Sequence, residues 1–429
     1  MKKLIFTFCL IATALSAMAC SVINISTDDD KPVEVKERKD IVLTKSQQEM
    51  VERSNSFAFD FFTAVNKAEW NNGNRNGNLM TSPLSMQSLL SLMTPGASEE
   101  LAADMIKGLG FEGCSVEELA NYYEELIPAL LNADSSTKIW NANALWVRKP
   151  VKLDKDYQSF VEKKYSATAS DLPLDGSEAA RIINKWCSDN TEGMIDHLFD
   201  SVPDEFKLVL ANALYFKGIW AEDYKFEESA TQTETFTNAD GSQAKCKIMH
   251  QTFSGTAYCD GKLASVSLPF GNSAFSMRFI MPVDEGEDIN STLSGITSEK
   301  WSEINGYGKY SDSYGNIIMS LPRFESEYEA TNDILKTAFE SIGLGCIFSG
   351  IFDSIANETM ALGEVGQKTR IKVNETGAEA AAVSWGAMKC TSVGPIEGTF
   401  HFEATRPFIY VISECSTGAI LFAGAVKSL

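Results

Sequence analysis

Three histidines, His197, His250 and His401, are the whole supply of imidazole in 429 residues. None stands in a His-Glu-x-x-His pair that could hold zinc, and no Gly-x-Ser-x-Gly elbow presents an activated serine. Gly108-Leu109-Gly110-Phe111-Glu112-Gly113 has the glycine spacing of a dinucleotide-binding turn. It follows a predicted helix over 101–107, whereas cradling a phosphate needs a strand before the turn, so it reads as a chance match. With Cys9 and Cys20 set aside, Cys114, Cys187, Cys246, Cys259, Cys346, Cys390 and Cys415 remain, an odd set without Cys-x-x-Cys or Cys-x-x-His spacing. That pattern indicates neither a disulfide framework nor a metal site. No metal, cofactor or catalytic residue is expected, and the chain does not read as an enzyme.

The chemistry left is that of a substrate. Over residues 373–387 the small residues Ala378, Ala380, Ala382, Ser384 and Gly386 alternate with Glu379, Ala381, Val383 and Trp385. In an extended chain those two sets point to opposite faces, one slim enough to enter a packed sheet and one fit to face water. Taken alone, the alanine run after Gly377 favours a helix or a plain loop. Its flanks reverse that preference. Thr369-Arg370-Ile371-Lys372-Val373-Asn374 alternates like a half-buried strand, and residues 407–412 and 419–424, joined by Ser416-Thr417-Gly418, read as a buried hairpin.

Stepping along the Val373-Asn374-Glu375-Thr376-Gly377-Ala378-Glu379-Ala380-Ala381-Ala382 segment, then Arg406-Pro407-Phe408 and the closing hairpin, the chain resembles the hinge, reactive loop and C-terminus of a serpin. The rest of the chain resembles that family in order from about residue 54. Residues 54–67, with Phe57, Phe59, Phe61 and Phe62, read as an amphipathic helix. Leu79-Met80-Thr81-Ser82-Pro83-Leu84-Ser85 reads as a short strand and a turn into a buried helix that Ser82 would cap, with Pro83 in its first turn. Residues 141–147 match a family strand, and 156–165 a helix. Residues 208–220 are apolar almost throughout, as a strand buried on both faces should be. Residues 264–269, 276–282 and 321–324 fit strands, and 331–344 a helix.

The resemblance implies an α+β serpin fold with three β-sheets, about eight or nine helices and an exposed reactive-centre loop. It also implies a suicide mechanism. A serine endopeptidase attacks the loop and forms an acyl-enzyme; the hinge side then inserts as a strand in the main sheet and distorts the protease before hydrolysis finishes. Cysteine endopeptidases are a further target class. The hinge would be Glu375, Thr376, Gly377, Ala378, Glu379, Ala380, Ala381 and Ala382. Ala378, the first to enter, carries no hydroxyl to leave unsatisfied, so insertion is expected to be permitted. Counting from Glu375 places the reactive bond at Thr391-Ser392, with Lys389, Cys390 and Met388 as alternatives that would suit trypsin-, elastase- or subtilisin-like proteases. Counting back from Arg406 lands near Ile396, so the loop is about five residues longer than usual. The buried amide of Asn212 would find Ser82 and Ser85 under the sheet centre, where Gln367 stands in place of the family's frequent histidine. Trp220 would mark the breach at which the loop begins to enter.

The N-terminus has Lys2, Lys3, an apolar run and Ala17-Met18-Ala19 before Cys20, the grammar of an export signal. The small residues before Cys20 resemble a lipobox, with Ala17 where an aliphatic residue is usual; ordinary cleavage at the same site is the alternative. Expected boundaries are 1–19 for the signal, 20–45 for a flexible tether poor in apolar residues, and 46–429 for a single domain. Such a protein would be an exported outer-membrane lipoprotein, facing the periplasm or the surface, or a secreted bacterial one. Fifty-eight acidic against 37 basic residues give a net charge of −21, which disfavours nucleic acid and anionic lipid. Membrane contact is thus expected only through the N-terminal lipid, and the body as a monomer. The alternatives are a non-inhibitory serpin-fold binding protein and a tethered surface lipoprotein that binds a glycan or host protein.

Overall fold

Phe57 and Phe61 lie one helical turn apart on α1 (Lys45–Asn71), and their rings stack at 5.7 Å inside the core. The computed structural model describes residues 35–193, 195–306, 308–362, 365–378 and 398–429, with side chains left aside at 140, 141 and 213–215. All of these fall into one compact unit. The first helix starts earlier than its phenylalanines suggest. Thr44 and Gln47 form a capping box that satisfies the first-turn amides two turns upstream.

The predicted tether is also shorter at its C-terminal end. The Arg38 guanidinium donates to Ser273 O at 2.8 Å, the Ile41 amide donates to Ser416 Oγ at 2.9 Å, and Ile41 and Leu43 pack against the core. Three apolar residues, Ile41, Val42 and Leu43, after a charged run are too weak a local signal to show that docking.

After α1 come α2 (Pro83–Ser91), α3 (Glu99–Gly108), α4 (Val116–Leu131), α5 (Lys155–Tyr165), α6 (Gly176–Asp189) and four further helices among the described residues. The glycine-rich run 108–113 is the turn between α3 and α4. Gly110 and Gly113 adopt φ of +87° and +88° there, and no strand precedes it.

The strands in chain order are β1 (Leu79–Thr81), β2 (Thr137–Arg148), β3 (Thr168–Leu172), β4 (Leu208–Ile219) and β5 (Gln232–Thr237). Next are β6 (Gln243–Cys259), β7 (Leu263–Phe270), β8 (Phe275–Pro282), β9 (Ser311–Pro322) and β10 (Phe324–Ala330). The last are β11 (Gln367–Asn374), β12 (Gly377–Ala378), β13 (Thr399–Glu403), β14 (Phe408–Glu414) and β15 (Ile420–Val426). One sheet has six strands in the order β10-β11-β12-β4-β2-β3. Of the other nine, eight form one hydrogen-bonded path, β1-β15-β14-β8-β7-β6-β9-β13, and β5 branches from it by pairing with β6. That path bends at the register shift between Phe253 and Gly255 of β6, where pairing with β9 is interrupted. The three expected sheets are thus present, two of them joined through the long strand β6. The buried hairpin β14-β15 and α2 back the six-stranded sheet, so its centre has a packed floor.

Candidate functional site

The site begins at a two-residue turn. Asn374 Oδ1 accepts the Thr376 amide at 3.0 Å and the Thr376 hydroxyl at 2.7 Å, a local bond that folds the chain back after β11. Gly377 and Ala378 then lie antiparallel between two strands, with Ala378 opposite Val373 on β11 and Gly218 on β4. Ala378 is fully buried. The approach is close enough that a Cβ on Gly377 would collide with the Gly218 carbonyl, and one on Gly218 would press on the Phe270 ring. The first hinge residue expected to enter the sheet is already inside it.

Trp220, just past the end of β4, holds this corner. Its ring stacks on Phe270 at 4.5 Å, its indole N–H donates to Asn374 O at 3.0 Å, and its amide donates to Thr376 O at 2.9 Å. Glu375 is buried beside it. The carboxylate accepts from Arg323 Nε at 2.8 Å on each oxygen, from Arg323 Nη2 at 2.7 Å, and from the Thr231 hydroxyl. Burial pushes this carboxyl up, but the Arg323 and Thr231 bonds, a backbone bond and the arginine charge together bring it below its ordinary value of 4.5. A group lowered in the folded state stabilises it above the unfolded pKa and loses that contribution as pH falls through the folded value. The thermal midpoint of the intact protein is therefore expected to drop on acidification below about pH 4.5, with a shallower drop in Glu375→Gln. Identical pH profiles for the two proteins would contradict this.

Beneath Ala378 the strands part. Six to ten residues along β4 from Gly218, a cavity of about 340 Å³ lies between residues 208–212 and the start of β11 at Gln367 and Lys368, lined also by Ile195, Leu198, Phe199 and Phe206. Strand β4 below Gly218 is roughly 33 Å long, room for about ten more residues of an inserted strand.

Under the sheet centre the expected polar residues meet as two separate groups. The Ser85 hydroxyl donates to Asn212 Oδ1, Asn212 Nδ2 to Asn143 Oδ1 at 2.7 Å, and Asn143 Nδ2 to Ser88 Oγ at 3.1 Å, tying α2 to β4 and β2. Gln367 instead grips the backbone of Ser82, accepting its amide at 3.0 Å and donating to its carbonyl at 2.9 Å. The Ser82 hydroxyl donates to Leu421 O, so Ser82 neither caps α2 with its side chain nor bonds Asn212. Asn143 and Ser88 were not singled out from sequence; an asparagine in a strand with apolar neighbours was the available signal. Gln367→Leu would leave the buried N–H and C=O of Ser82 without this partner. The Ser82 carbonyl keeps the Met86 amide at 3.1 Å, so the orphaned N–H is expected to cost about 1–3 kcal/mol, readable in denaturant unfolding; an unchanged stability would contradict the clamp.

The remaining expected residues, Glu379, Ala380, Ala381, Ala382, Met388, Lys389, Cys390, Thr391 and Ser392, and Cys20, lie outside the described residues. Among the described residues no three His, Cys, Asp or Glu side chains could together hold a metal ion, and no helix is long and apolar enough to cross a membrane.

Residues 52–429 match the model of the Serpin (serine protease inhibitor) family. This chain belongs to the serpin family. It is similar to an uncharacterised serpin-like protein of Thermococcus kodakarensis, 27% identical over 91% of this chain and 88% of that protein. It is likewise similar to the leukocyte elastase inhibitor of Homo sapiens, 28% identical over 87% of this chain and 97% of that one. The native state of tengpin, a thermophilic serpin, superposes with a TM-score of 0.78 at 25% identity, over 92% of this chain and 97% of tengpin. By family, this serpin stands among serine protease inhibitors and not among enzymes.

Proposed function

We propose that this serpin is an exported suicide-substrate inhibitor of serine endopeptidases, cleaved at Thr391-Ser392 or within residues 388–392. Acyl-enzyme trapping follows by insertion of residues 379 onward below Ala378. The observation that carries the reading is Ala378 paired as a strand between Val373 on β11 and Gly218 on β4, with a cavity farther along the same two strands, beside residues 208–212 and 367–368. Strand addition of this kind draws its affinity from main-chain bonds and its tolerance from small inward side chains. Ala380, Ala382, Ser384 and Gly386 supply those.

The test is to incubate the protein with trypsin-, elastase- and subtilisin-like proteases, run denaturing gels and sequence the released C-terminal fragment. A band at the summed mass supports trapping, and the fragment's first residue identifies the bond. Clean cleavage without that band would leave a non-inhibitory binding member of the family. Attachment to a membrane through a lipid on Cys20 belongs to the same proposal, and the intact mass of the mature protein tests it. A mass matching an unmodified N-terminus would sink the lipid.

A further inference from the structure

Arg148 is a buried cation that the insertion site does not use. It ends β2 and is 1% exposed, yet among the described residues its guanidinium meets no buried carboxylate. It donates instead to three main-chain carbonyls, Leu174 O, Val202 O at 3.3 Å and Pro203 O, and to Asp204 Oδ1 at 2.9 Å. The Asp204 carboxylate is 96% exposed, so water screens that pair and the carbonyls do most of the holding.

The positions of those carbonyls matter more than their number. Leu174 lies just before α6, and Val202 and Pro203 lie just before β4. Everything between them is a flap over the sheet. On its inner face α6 presents Ala179, Ala180, Ile183 and Cys187 to Ala144, Trp146, Val209 and Ala211, and Trp186 sets its ring edge-on to Trp146 at 5.3 Å. Asn184 binds the roof of the cavity to this helix, accepting the amides of Leu198 at 2.8 Å and Phe199 at 3.1 Å and donating to Phe199 O at 2.8 Å. Helix and roof are therefore one unit, and that unit lines the cavity beside residues 208–212 of β4, on the path an inserted strand would take.

We propose that Arg148 is the clasp of this flap. By gripping the chain on both sides of α6 it lets the helix and roof swing together and reseat in register, and it sets how readily the gap admits a strand. It is a positioning residue, since it touches neither the loop nor the cavity. Its consequence for inhibition rests on the insertion reading above, but the clasp itself can be tested without a protease.

The test compares intact wild type, Arg148→Gln and Asp204→Asn by hydrogen exchange. It also follows uptake of a synthetic peptide with the sequence of residues 377–390. Arg148→Gln is expected to raise amide exchange at least tenfold across residues 175–203, to leave β6 and β9 unchanged, and to speed peptide uptake at least fivefold. Asp204→Asn should move neither by more than twofold. Wild-type exchange in the Arg148→Gln flap, or an equal rise throughout the molecule, would overturn the clasp. If Arg148→Gln does not fold, Arg148→Lys carries the test, because an ammonium of similar reach cannot span the carbonyls as a planar fork does. A flap exchanging at least threefold faster supports the proposal, and a wild-type rate defeats it. Failure of wild type to trap any protease, with a selectively loosened Arg148→Gln flap, would retain the clasp and remove the inhibitor reading; the reverse pattern would remove the clasp alone.

Discussion

Under the proposed trapping mechanism, Ala378→Arg is expected to leave a plain substrate, with the covalent protease band at least tenfold below that of the wild type while cleavage of the loop continues. Ala378 is fully buried between β11 and β4. A guanidinium cannot stay there without a partner, because burying an unpaired charge costs far more than a two-residue strand returns. The hinge would be held out of the sheet, and the residues behind it would have no paired strand from which to continue. The native body should lose little, since only β12 is displaced. Gel-resolved complex and product against protease concentration measure the partition, and an unchanged ratio would show that residue 378 does not lead the insertion.

Glu375→Lys is expected to have the second largest effect, this time on the native state. The substitution sets an ammonium against Arg323 and removes the acceptor of the Thr231 hydroxyl. Glu375 is buried but Arg323 is 41% exposed, so water screens part of the pair and the loss is expected at about 1.5–3 kcal/mol. The loss falls on the corner that joins β11, β4 and the start of β10. The strands there should separate more easily, so the native form should lose inhibitory activity on storage at least tenfold faster by drifting to loop-inserted or linked forms. Combining Glu375→Lys with Arg323→Glu restores opposite charges and is expected to recover part of the loss, the coupling a double-mutant cycle detects. Additive damage in the double variant would mean that the pair contributes nothing specific.

These two residues also show what could be read from the chain beforehand. Ala378 was legible because the alternation of small and large residues is local, and a period of two has one meaning once its flanks are strands. The run 208–220 was legible for a different local reason, being apolar almost throughout as a strand buried on both faces is, and β4 within it pairs with the hinge. Glu375 was legible only as a hinge position. Its partners stand 52 and 144 residues away, and nothing near Arg323 or Thr231 announces a buried carboxylate. Gln367 was placed under the sheet, but its amide could have served Asn212 as well as the Ser82 backbone. Only packing decides between them. Arg148 gave no signal, because an arginine at a strand end is ordinarily solvated, and its acceptors are carbonyls that every sequence has.

The most direct measurement of loop insertion is the thermal unfolding of the protein before and after a single cleavage within residues 388–392. If the freed segment enters below Ala378, about ten residues gain main-chain partners on both sides. At roughly 1 kcal/mol for each bond, the midpoint should rise by at least about 15 °C. A midpoint that stays level or falls after cleavage would show that the gap does not take the loop, and the trapping account would fail with it.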